Sequence, residues 1–408
     1  MSPPATGKAA TLAEVIRRHG TDYRTRYPPA GKVRSLLGLL PLCRTPALGG
    51  TLYRCSDCGR HEPRWRSCGN RHCPQCQTKA RERWVAKQEA QLLDLPYFHL
   101  VFTLPGELQG LLLANKAAGY SLLFRTVAAT LKRFGESHGQ LGFTAVLHTW
   151  NQRLLPHAHL HVIVPAVAIR PDGSATRIGK GTFLFPVKAL AKVFRAKFLD
   201  GLKRLQRRGS GRSDGGKGLR GLPPGTTPGS FVESLQALYE KDWVVYAKRP
   251  FGGPKQVLAY LGRYTHRTAI SNHRIRRVDD RHVVFAARDP KRPGRKVEVR
   301  LPGADFLRRF FFHVLPTGFT RIRHYGFLSG GVRAKRIASL RAALGQKAPV
   351  VESLDERMER LCGGSGNDCP HCPNGQLLLV RPLAKRSRGR PSKPLATVAI
   401  TAAARPPP

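Results

Sequence analysis

The chain has 408 residues, 41% of them hydrophobic, so it is long enough to bury more than one hydrophobic core. It carries 70 Lys and Arg residues against 25 Asp and Glu residues, which gives a formal net charge of +45 at pH 7. Such an excess repels itself unless a polyanion or counterions offset it, and nucleic acid is therefore the expected partner. No apolar run approaches the roughly 18 residues needed to span a bilayer, which argues against a membrane protein.

The first residues, "MSPPATGKAATLAEVI", lack the charged start and the apolar centre of a secretory signal, so we expect a cytosolic protein. In that compartment nine cysteines suggest metal ligation more than disulfides. A helix is predicted at "TLAEVIRRHG", ahead of a cluster of cysteines. Residues 1–93 are therefore interpreted as a helical lead-in followed by a zinc-binding domain.

Two CxxC pairs dominate this cysteine cluster. Cys55 and Cys58 form the first pair, Cys73 and Cys76 form the second, and fourteen residues separate them. Two such pairs can present four thiolates to one tetrahedral zinc ion, which predicts a small structural zinc ribbon with no open position for water or substrate. Disulfides are the alternative, and Cys68 could replace one of the four ligands.

Three further cysteines lie near the C-terminus, in "CGGSGNDCPHC". They could form a second metal site together with His371, although their spacing matches only half of a zinc-site pattern. The cysteines concerned are Cys362, Cys369 and Cys372.

Between these regions, strands and helices interleave without strict alternation, which favours an α+β fold. In chain order, the patterns predict a helix at 78–93, strands at 97–104 and 142–150, a long helix in "VKALAKVFRAKFLDGLKRLQRR", and a hairpin or meander near 269–301. We expect a catalytic domain at 94–345 with a flexible insertion at about 207–230, a C-terminal segment at 346–380, and a disordered basic tail at 381–408.

The stretch "LLPHAHLHVIVP" places three histidines at every second position of a predicted strand. His157, His159 and His161 therefore share one face, while Leu160 and its apolar neighbours fill the other. Three imidazoles on one face can hold a metal ion or move a proton. The alternative is a half-buried strand whose imidazoles hydrogen-bond to their neighbours.

A pair of tyrosines follows in "QVLAYLGRYTHR". Tyr260 and Tyr264 are four residues apart, which puts them on one face of a predicted helix, about 6 Å apart along its axis. Such a pair usually serves packing. Together with the histidines it suggests tyrosine attack on a phosphodiester, assisted by a divalent ion on His159 and His161 that polarises the phosphate oxygens.

The order of the motifs across residues 12–345 resembles the insertion sequence 91 family of rolling-circle transposases, the two-tyrosine branch of the HUH nucleases. After the zinc knuckle, the motifs that carry the resemblance are "VFTLP", "LHTW", His159-Leu160-His161, "FGGP", "YLGRYTHR", "ISNHR" and "RIRHYGFL". The resemblance implies an HUH-like antiparallel sheet flanked by helices, preceded by the zinc ribbon. It also implies that His159 and His161 bind Mg²⁺ or Mn²⁺ and that Tyr260 and Tyr264 are the nucleophiles.

A third metal ligand is usual in this superfamily. Gln152 is our first candidate for it and His157 the second. Basic residues beside the tyrosines and in "RIRHYG" are predicted to contact DNA, although arginines exposed on a packed strand would look the same; they are Arg263, His266, Arg267, Arg321, Arg323 and His324.

These observations lead us to expect a metal-dependent DNA transposase that nicks and rejoins single-stranded DNA through 5′-phosphotyrosine intermediates in rolling-circle transposition. Its expected partners are single-stranded DNA at element ends and target site, and a host polymerase and helicase, in the bacterial cytoplasm at the nucleoid. Two alternatives stay open: a plasmid-type rolling-circle replication initiator, and a non-catalytic zinc-ribbon DNA-binding protein.

Overall fold

The fold is that of a computed structural model of the chain. It describes residues 10–179, 183–208, 218–219, 221–222, 225–251, 256–257, 260, 262, 268–289, 292, 294–364 and 366–385. The fold is α+β, as the sequence predicted, with an antiparallel sheet flanked by helices. No helix in the described part of the chain has the length and apolar character needed to cross a bilayer.

The N-terminal part combines helices with a small sheet. Helices α1 (Leu12–Arg26) and α2 (Gly31–Leu39) precede the hairpin of β1 (Gly50–Cys55) and β2 (His61–Trp65), and α3 (Gln77–Glu89) follows it. Short 3₁₀ helices lie at Leu40–Leu42, Pro46–Leu48, Gly106–Leu108 and Asn272–Arg274.

A seven-stranded antiparallel sheet forms the centre of the molecule. Its strands are β3 (Tyr97–Thr103), β4 (Gln140–Trp150), β5 (Pro156–Pro165), β6 (Val167–Ile169), β7 (Ala175–Arg177), β8 (Val245–Phe251) and β12 (Ile322–Gly326). The order is β7-β6-β4-β5-β3-β8. On the same edge of β4, β6 pairs with residues 140–141 and β12 pairs with residues 142–146. The long central strands β4 and β5 are therefore covered by partners on both edges.

One face of this sheet is packed against helices. These are α4 (Gln109–Ala114), α5 (Lys116–Gly135), α6 (Val187–Arg207) and α7 (Pro228–Glu240). Helix α6 buries a stripe of apolar side chains at helical spacing, and Phe194 in that stripe meets Phe102 of β3 edge-on at 5.2 Å between ring centroids. Leu160 of β5 is fully buried in the same core. Each such side chain contributes about 1.5–3 kcal/mol to folding through burial.

A second layer is built from the predicted meander and joins the N-terminal helices. It consists of β9 (Ile275–Val278), β10 (His282–Arg288), β11 (Lys296–Pro302) and α8 (Gly303–Phe312). Tyr23 of α1 packs on Phe311 of α8 at 5.2 Å between ring centroids. Both side chains are buried, so α1 and the meander share one core.

The chain then returns to its N-terminal domain. After α9 (Arg333–Ala343), helix α10 (Leu354–Cys362) packs against α3, and β13 (Leu377–Leu383) pairs antiparallel with β1 to complete a three-stranded sheet, β13-β1-β2. The tail predicted from residue 381 is corrected here, because residues 381–383 belong to β13. Residues 386–408 lie outside the described residues.

The insertion predicted at about 207–230 is also narrower than expected. Helix α6 includes Arg207, and α7 already begins at Pro228, where Thr227 and Ser230 form a capping box. Most of the Gly-rich stretch between the two helices, residues 209–217, 220 and 223–224, lies outside the described residues.

Candidate active site and metal centres

The open face of the central sheet carries a group of three histidines. His148 of β4 faces His159 of β5 in the antiparallel register, and His161 lies two residues further along β5. One ring nitrogen of each lies within 4.8 Å of those of the other two. The set fits a divalent ion: three imidazole nitrogens converge, no fourth protein ligand of the His, Cys, Asp or Glu type joins them among the described residues, and positions stay open for substrate oxygens.

The ring of His159 is oriented by its own strand. Its Nδ1 donates a hydrogen bond to the backbone carbonyl of His157 at 2.7 Å, which leaves the Nε2 lone pair available to a metal ion. The side chain of His157 is not part of the three-histidine group, while its carbonyl orients His159; as a third ligand it stays a prediction. Gln152 lies in the turn between β4 and β5, where its carbonyl accepts a hydrogen bond from Arg274; as a metal ligand it stays a prediction.

Tyr260 reaches this histidine face from a helical segment. Its hydroxyl lies 3.0 Å from Nδ1 of His161 and 2.9 Å from Nε2 of His99, and these two nitrogens are themselves 3.0 Å apart. Tyr260 is 7% exposed, and Lys248 of β8 sits 6.0 Å from its ring centroid. The phenol and the three-histidine group therefore share His161.

Burial keeps His99 and His159 neutral. It lowers the pKa of His99 to about 3, helped by the nearby charge of Lys248, and lowers the pKa of His159 to about 4. A neutral imidazole can ligate a metal ion or accept a hydrogen bond from a phenol, whereas a protonated ring can do neither. At neutral pH His99 and His159 are therefore in the state that these tasks require.

Several predicted residues surround Tyr260 in sequence but lie outside the described residues. They are Tyr264 and the basic residues Arg263, His266 and Arg267. Of this helix the structure describes residues 256–257, 260 and 262, all of them helical.

The three predicted DNA contacts on and beside β12 are not placed together. His324 shares the histidine face and its Nδ1 lies 2.9 Å from Oγ1 of Thr144, while burial lowers its pKa to about 4. Arg323 points to the opposite face, where its guanidinium stacks 4.2 Å from the centroid of Phe124. Arg321 is half-buried, and burial followed by the charge of Arg71 lowers its pKa to about 10.

The cysteines form two clusters, and the predicted single zinc ribbon is corrected. Cys55 and Cys58 meet Cys369 and Cys372, a group called here the Cys55 cluster. The other four described cysteines form the Cys43 cluster: Cys43, Cys68, Cys73 and Cys76.

The correction has a geometric reason. The first CxxC pair lies at the turn of the β1–β2 hairpin, and the five residues of β2 carry the chain about 16 Å towards the opposite end before the second pair is reached. Neighbouring CxxC pairs in the sequence are thus at opposite ends of the hairpin and cannot share one ion.

The Cys43 cluster has the geometry of a structural zinc site. Sγ of Cys68 and Sγ of Cys76 are 3.7 Å apart, close to the roughly 3.8 Å edge of a tetrahedron of sulfurs around zinc. The backbone N–H of Cys68 points at Sγ of Cys43 at 3.4 Å. Cys68, which the sequence analysis named as an alternative ligand, is one of the four members of this cluster.

The sequence suggested a second metal site of Cys362, Cys369, Cys372 and His371, but the structure groups the described members of this set differently. Two of these cysteines belong to the Cys55 cluster, and Nε2 of His371 lies 3.2 Å from a carboxylate oxygen of Glu62. The side chain of Cys362 lies outside the described residues.

Sequence reasoning missed two ligand candidates. His148 stands in "LHTW", but its pairing with His159 depends on an irregularity in the β4–β5 register that the sequence does not display. Cys43 stands 25 residues before Cys68 without a CxxC partner. The only signal for it was that Cys68, Cys73 and Cys76 need a fourth sulfur to complete a zinc site.

Comparisons with known proteins find transposases and transposase domains. A family model described as "Putative transposase" matches residues 142–336, and one described as "Transposase zinc-binding domain" matches residues 15–104. "Putative transposase y4qJ" of Sinorhizobium fredii is 40% identical over 385 residues, which are 90% of this chain and 94% of that protein. "Transposase for insertion sequence element IS801" of Pseudomonas savastanoi pv. phaseolicola is 27% identical, over 75% of this chain and 73% of that protein. No solved structure matches significantly.

Proposed function

The chain belongs to the insertion sequence 91 family of transposases, with an N-terminal zinc-binding domain, and we propose that it nicks and rejoins single-stranded DNA through tyrosine in rolling-circle transposition. One observation supports this proposal above the others. The hydroxyl of Tyr260 is held 3.0 Å from His161, a member of the three-histidine group, so nucleophile and metal ligands adjoin on one face of the sheet.

In the proposed reaction the phenolic oxygen of Tyr260 attacks a DNA phosphorus atom. A bond forms between that oxygen and phosphorus, the phosphorus–O3′ bond breaks, and the products are a 5′-phosphotyrosine and a free 3′-OH. The phosphotyrosine keeps the energy of the broken bond, so the strand can be rejoined without a nucleotide cofactor. In the reverse step a 3′-OH attacks the phosphotyrosine and releases the phenol.

The side chains around Tyr260 orient the phenol. His99 and His161 fix the direction of the phenolic oxygen through two hydrogen bonds, and because burial makes His99 a weak base, the proton that leaves on attack passes to solvent. A Mg²⁺ or Mn²⁺ ion on His148, His159 and His161 would polarise the phosphate oxygens and neutralise their charge.

Two parts of the proposal rest on the family resemblance. Tyr264 would be the second nucleophile, cutting the other strand so that ends are exchanged, and a host polymerase and helicase would extend and unwind from the free 3′-OH. DNA at element ends and at the target would be single-stranded. Contacts to it are assigned to Arg263, His266, Arg267 and Arg321, and to His324 on the histidine face.

Formation of a covalent adduct tests the proposal directly. Labelled single-stranded oligonucleotides carrying an element end, incubated with the full chain and Mn²⁺, should give an adduct that survives denaturation. Tyr260→Phe should remove or strongly reduce this adduct, whereas Tyr246→Phe should retain it, because Tyr246 is an exposed tyrosine on the neighbouring strand β8. An adduct that persists when Tyr260 and Tyr264 are both changed to Phe would show that the nucleophile lies elsewhere.

A further inference from the structure

The Cys55 cluster draws its members from opposite ends of the chain. Cys55 and Cys58 lie at the turn of the β1–β2 hairpin, while Cys369 and Cys372 lie just before β13. The zinc-binding-domain match ends at residue 104 and the transposase match ends at residue 336, so the second pair of cysteines is outside both. Paired sulfurs are separated by 317 and 311 residues along the chain.

The sulfur positions are those of a zinc site and not of disulfides. Sγ of Cys55 lies 3.6 Å from Sγ of Cys372, and Sγ of Cys58 lies 3.8 Å from Sγ of Cys369. Sulfurs about 2.3 Å from a common zinc ion are about 3.8 Å apart, whereas a disulfide would bring two sulfurs to about 2.05 Å.

The backbone around these sulfurs is folded as two facing knuckles. The N–H groups of Asp57 and Cys58 point at Sγ of Cys55, both at 3.4 Å, and the N–H of His371 points at Sγ of Cys369 at 3.3 Å. Donors aimed at sulfur stabilise the thiolate form, which is the form that binds metal.

Gly375 closes the knuckle that follows the second cysteine pair. A Cβ atom at this position would lie 2.2 Å from Sγ of Cys55 and 2.7 Å from Sγ of Cys372. Its carbonyl accepts a hydrogen bond from the N–H of Cys369 at 2.8 Å. The close approach of backbone to two sulfurs therefore requires a residue without a side chain.

Independent contacts dock the same C-terminal segment on the N-terminal domain. Ser56 and Gln376 exchange two hydrogen bonds, of 2.9 Å and 3.0 Å. Arg357 of α10 forms ion pairs with Glu82 and Glu89 of α3. The cluster thus sits inside an interface that exists over two elements, α10 and β13.

We propose that this chain binds two zinc ions, and that the second, held by Cys55, Cys58, Cys369 and Cys372, fastens the C-terminal segment to the N-terminal zinc-binding domain. Each thiol gives up its proton to solvent as it binds, and no redox partner is needed. A cross-link between positions more than 300 residues apart removes many conformations of the unfolded chain, so its stabilising effect is large for a single site. The metal makes α10 and β13 a part of the N-terminal domain.

Metal content tests the proposal without reference to DNA cleavage. Native mass spectrometry of the full chain should find two zinc ions, and Cys369→Ser with Cys372→Ser should find one. Cys362→Ser is the matched control, because eight other cysteines supply the four sulfurs of each cluster and both ions should remain. A single zinc ion in the unaltered chain, or two in the double variant, would overturn the proposal.

A second measurement reports on the cross-link itself. A protease recognition sequence inserted at Val350, which is fully exposed, allows the chain to be cut between α9 and α10. In the unaltered and Cys362→Ser backgrounds the C-terminal fragment should stay bound during size-exclusion chromatography. Release is expected from the double serine variant and, in part, from Gly375→Ala, with far-UV circular dichroism confirming that the remainder is folded. Equal retention in all four backgrounds would show that zinc does not fasten the segment.

Discussion

His148 on β4 lies directly opposite His159 on β5, and the two rings meet edge-on at 5.5 Å between centroids. Residues opposite each other in an antiparallel pair point to the same face, so the hairpin alone brings a third imidazole to the pair on β5. Because β4 and β5 are central strands with partners on both sides, the three nitrogens are held by a rigid scaffold.

His148→Ala should abolish metal-dependent cleavage as completely as His159→Ala. Loss of a partner that only orients a ligand typically costs 10–100-fold, so loss of a ligand should reduce the cleavage rate by more than about 100-fold. Single-turnover oligonucleotide cleavage measures this, with DNA affinity measured in parallel and expected to stay nearly constant. His157→Ala is the control: it keeps the backbone carbonyl that holds His159 and removes only a ring that lies outside the three-histidine group, so full activity loss there would count against our ligand assignment.

Mn²⁺ should support cleavage at a lower concentration than Mg²⁺. The described ligand set consists of imidazole nitrogens, whereas Mg²⁺ prefers oxygen ligands and gives up its water reluctantly. Titrating each ion in the adduct assay, at constant ionic strength, gives the two half-maximal concentrations. Equal values, or a lower one for Mg²⁺, would indicate that an oxygen ligand such as the side chain of Gln152 completes the site.

DNA affinity should fall steeply as salt increases. With a net charge of +45, association with DNA is expected to release many counterions. If six phosphates of a single strand are neutralised, the slope of log affinity against log salt is about −4, since each contributes about −0.7. Fluorescence anisotropy at several salt concentrations measures the slope, and Tyr260→Phe should leave it unchanged because a hydroxyl carries no charge. A flat response would contradict binding through phosphates.

Arg357→Met should destabilise the contact between α10 and α3. This arginine is 7% exposed and pairs with Glu82, Glu89 and Glu352, so its removal leaves three carboxylates close together. Breaking a buried ion pair by removing one partner costs about 3 kcal/mol or more. Denaturant unfolding measures the loss, and Arg360→Met provides the exposed comparison, for which a much smaller change is expected. Equal effects of the two substitutions would show that burial of the network is unimportant.

The free energy of unfolding should decrease when the pH falls from about 6.5 towards 4. Burial lowers the pKa of His313 to about 4, and hydrogen bonds to Leu154 and Thr149 only partly oppose this shift. The unfolded chain therefore binds a proton in this pH range that the folded chain does not, and protonation favours unfolding. Denaturant titrations at pH 5 and pH 7 measure the difference. His313→Gln should reduce it, and a difference unaffected by this substitution would assign the pH dependence to other groups.

Patterns within a single element were predictable from the sequence. The alternation in β5 placed Leu160 in the core and His159 on the open face, and the apolar spacing of α6 gave its bounds to within a residue. These features depend on local periodicity, which a sequence displays directly.

Pairings between elements were not predictable in the same way. Between β4 and β5, Trp150 pairs with Pro156, so an uninterrupted register would put His148 opposite Ala158; an irregularity between His148 and Trp150 shifts the partner to His159. The grouping of cysteines failed for a similar reason, because Cys369 and Cys372, which join the first CxxC pair, lie in the segment before β13, more than 300 residues away. Neither a one-residue bulge nor a contact with a distant segment produces a local pattern in the sequence.

The three-stranded sheet β13-β1-β2 also has a consequence for biosynthesis. Its first strand leaves the ribosome early, but the strand that completes it is among the last described residues to be made. The central seven-stranded sheet can therefore finish folding while the N-terminal hairpin still exposes an unpaired edge. A prematurely terminated polypeptide would keep that edge open, which makes it a target for aggregation or quality-control proteases even when its central sheet is intact.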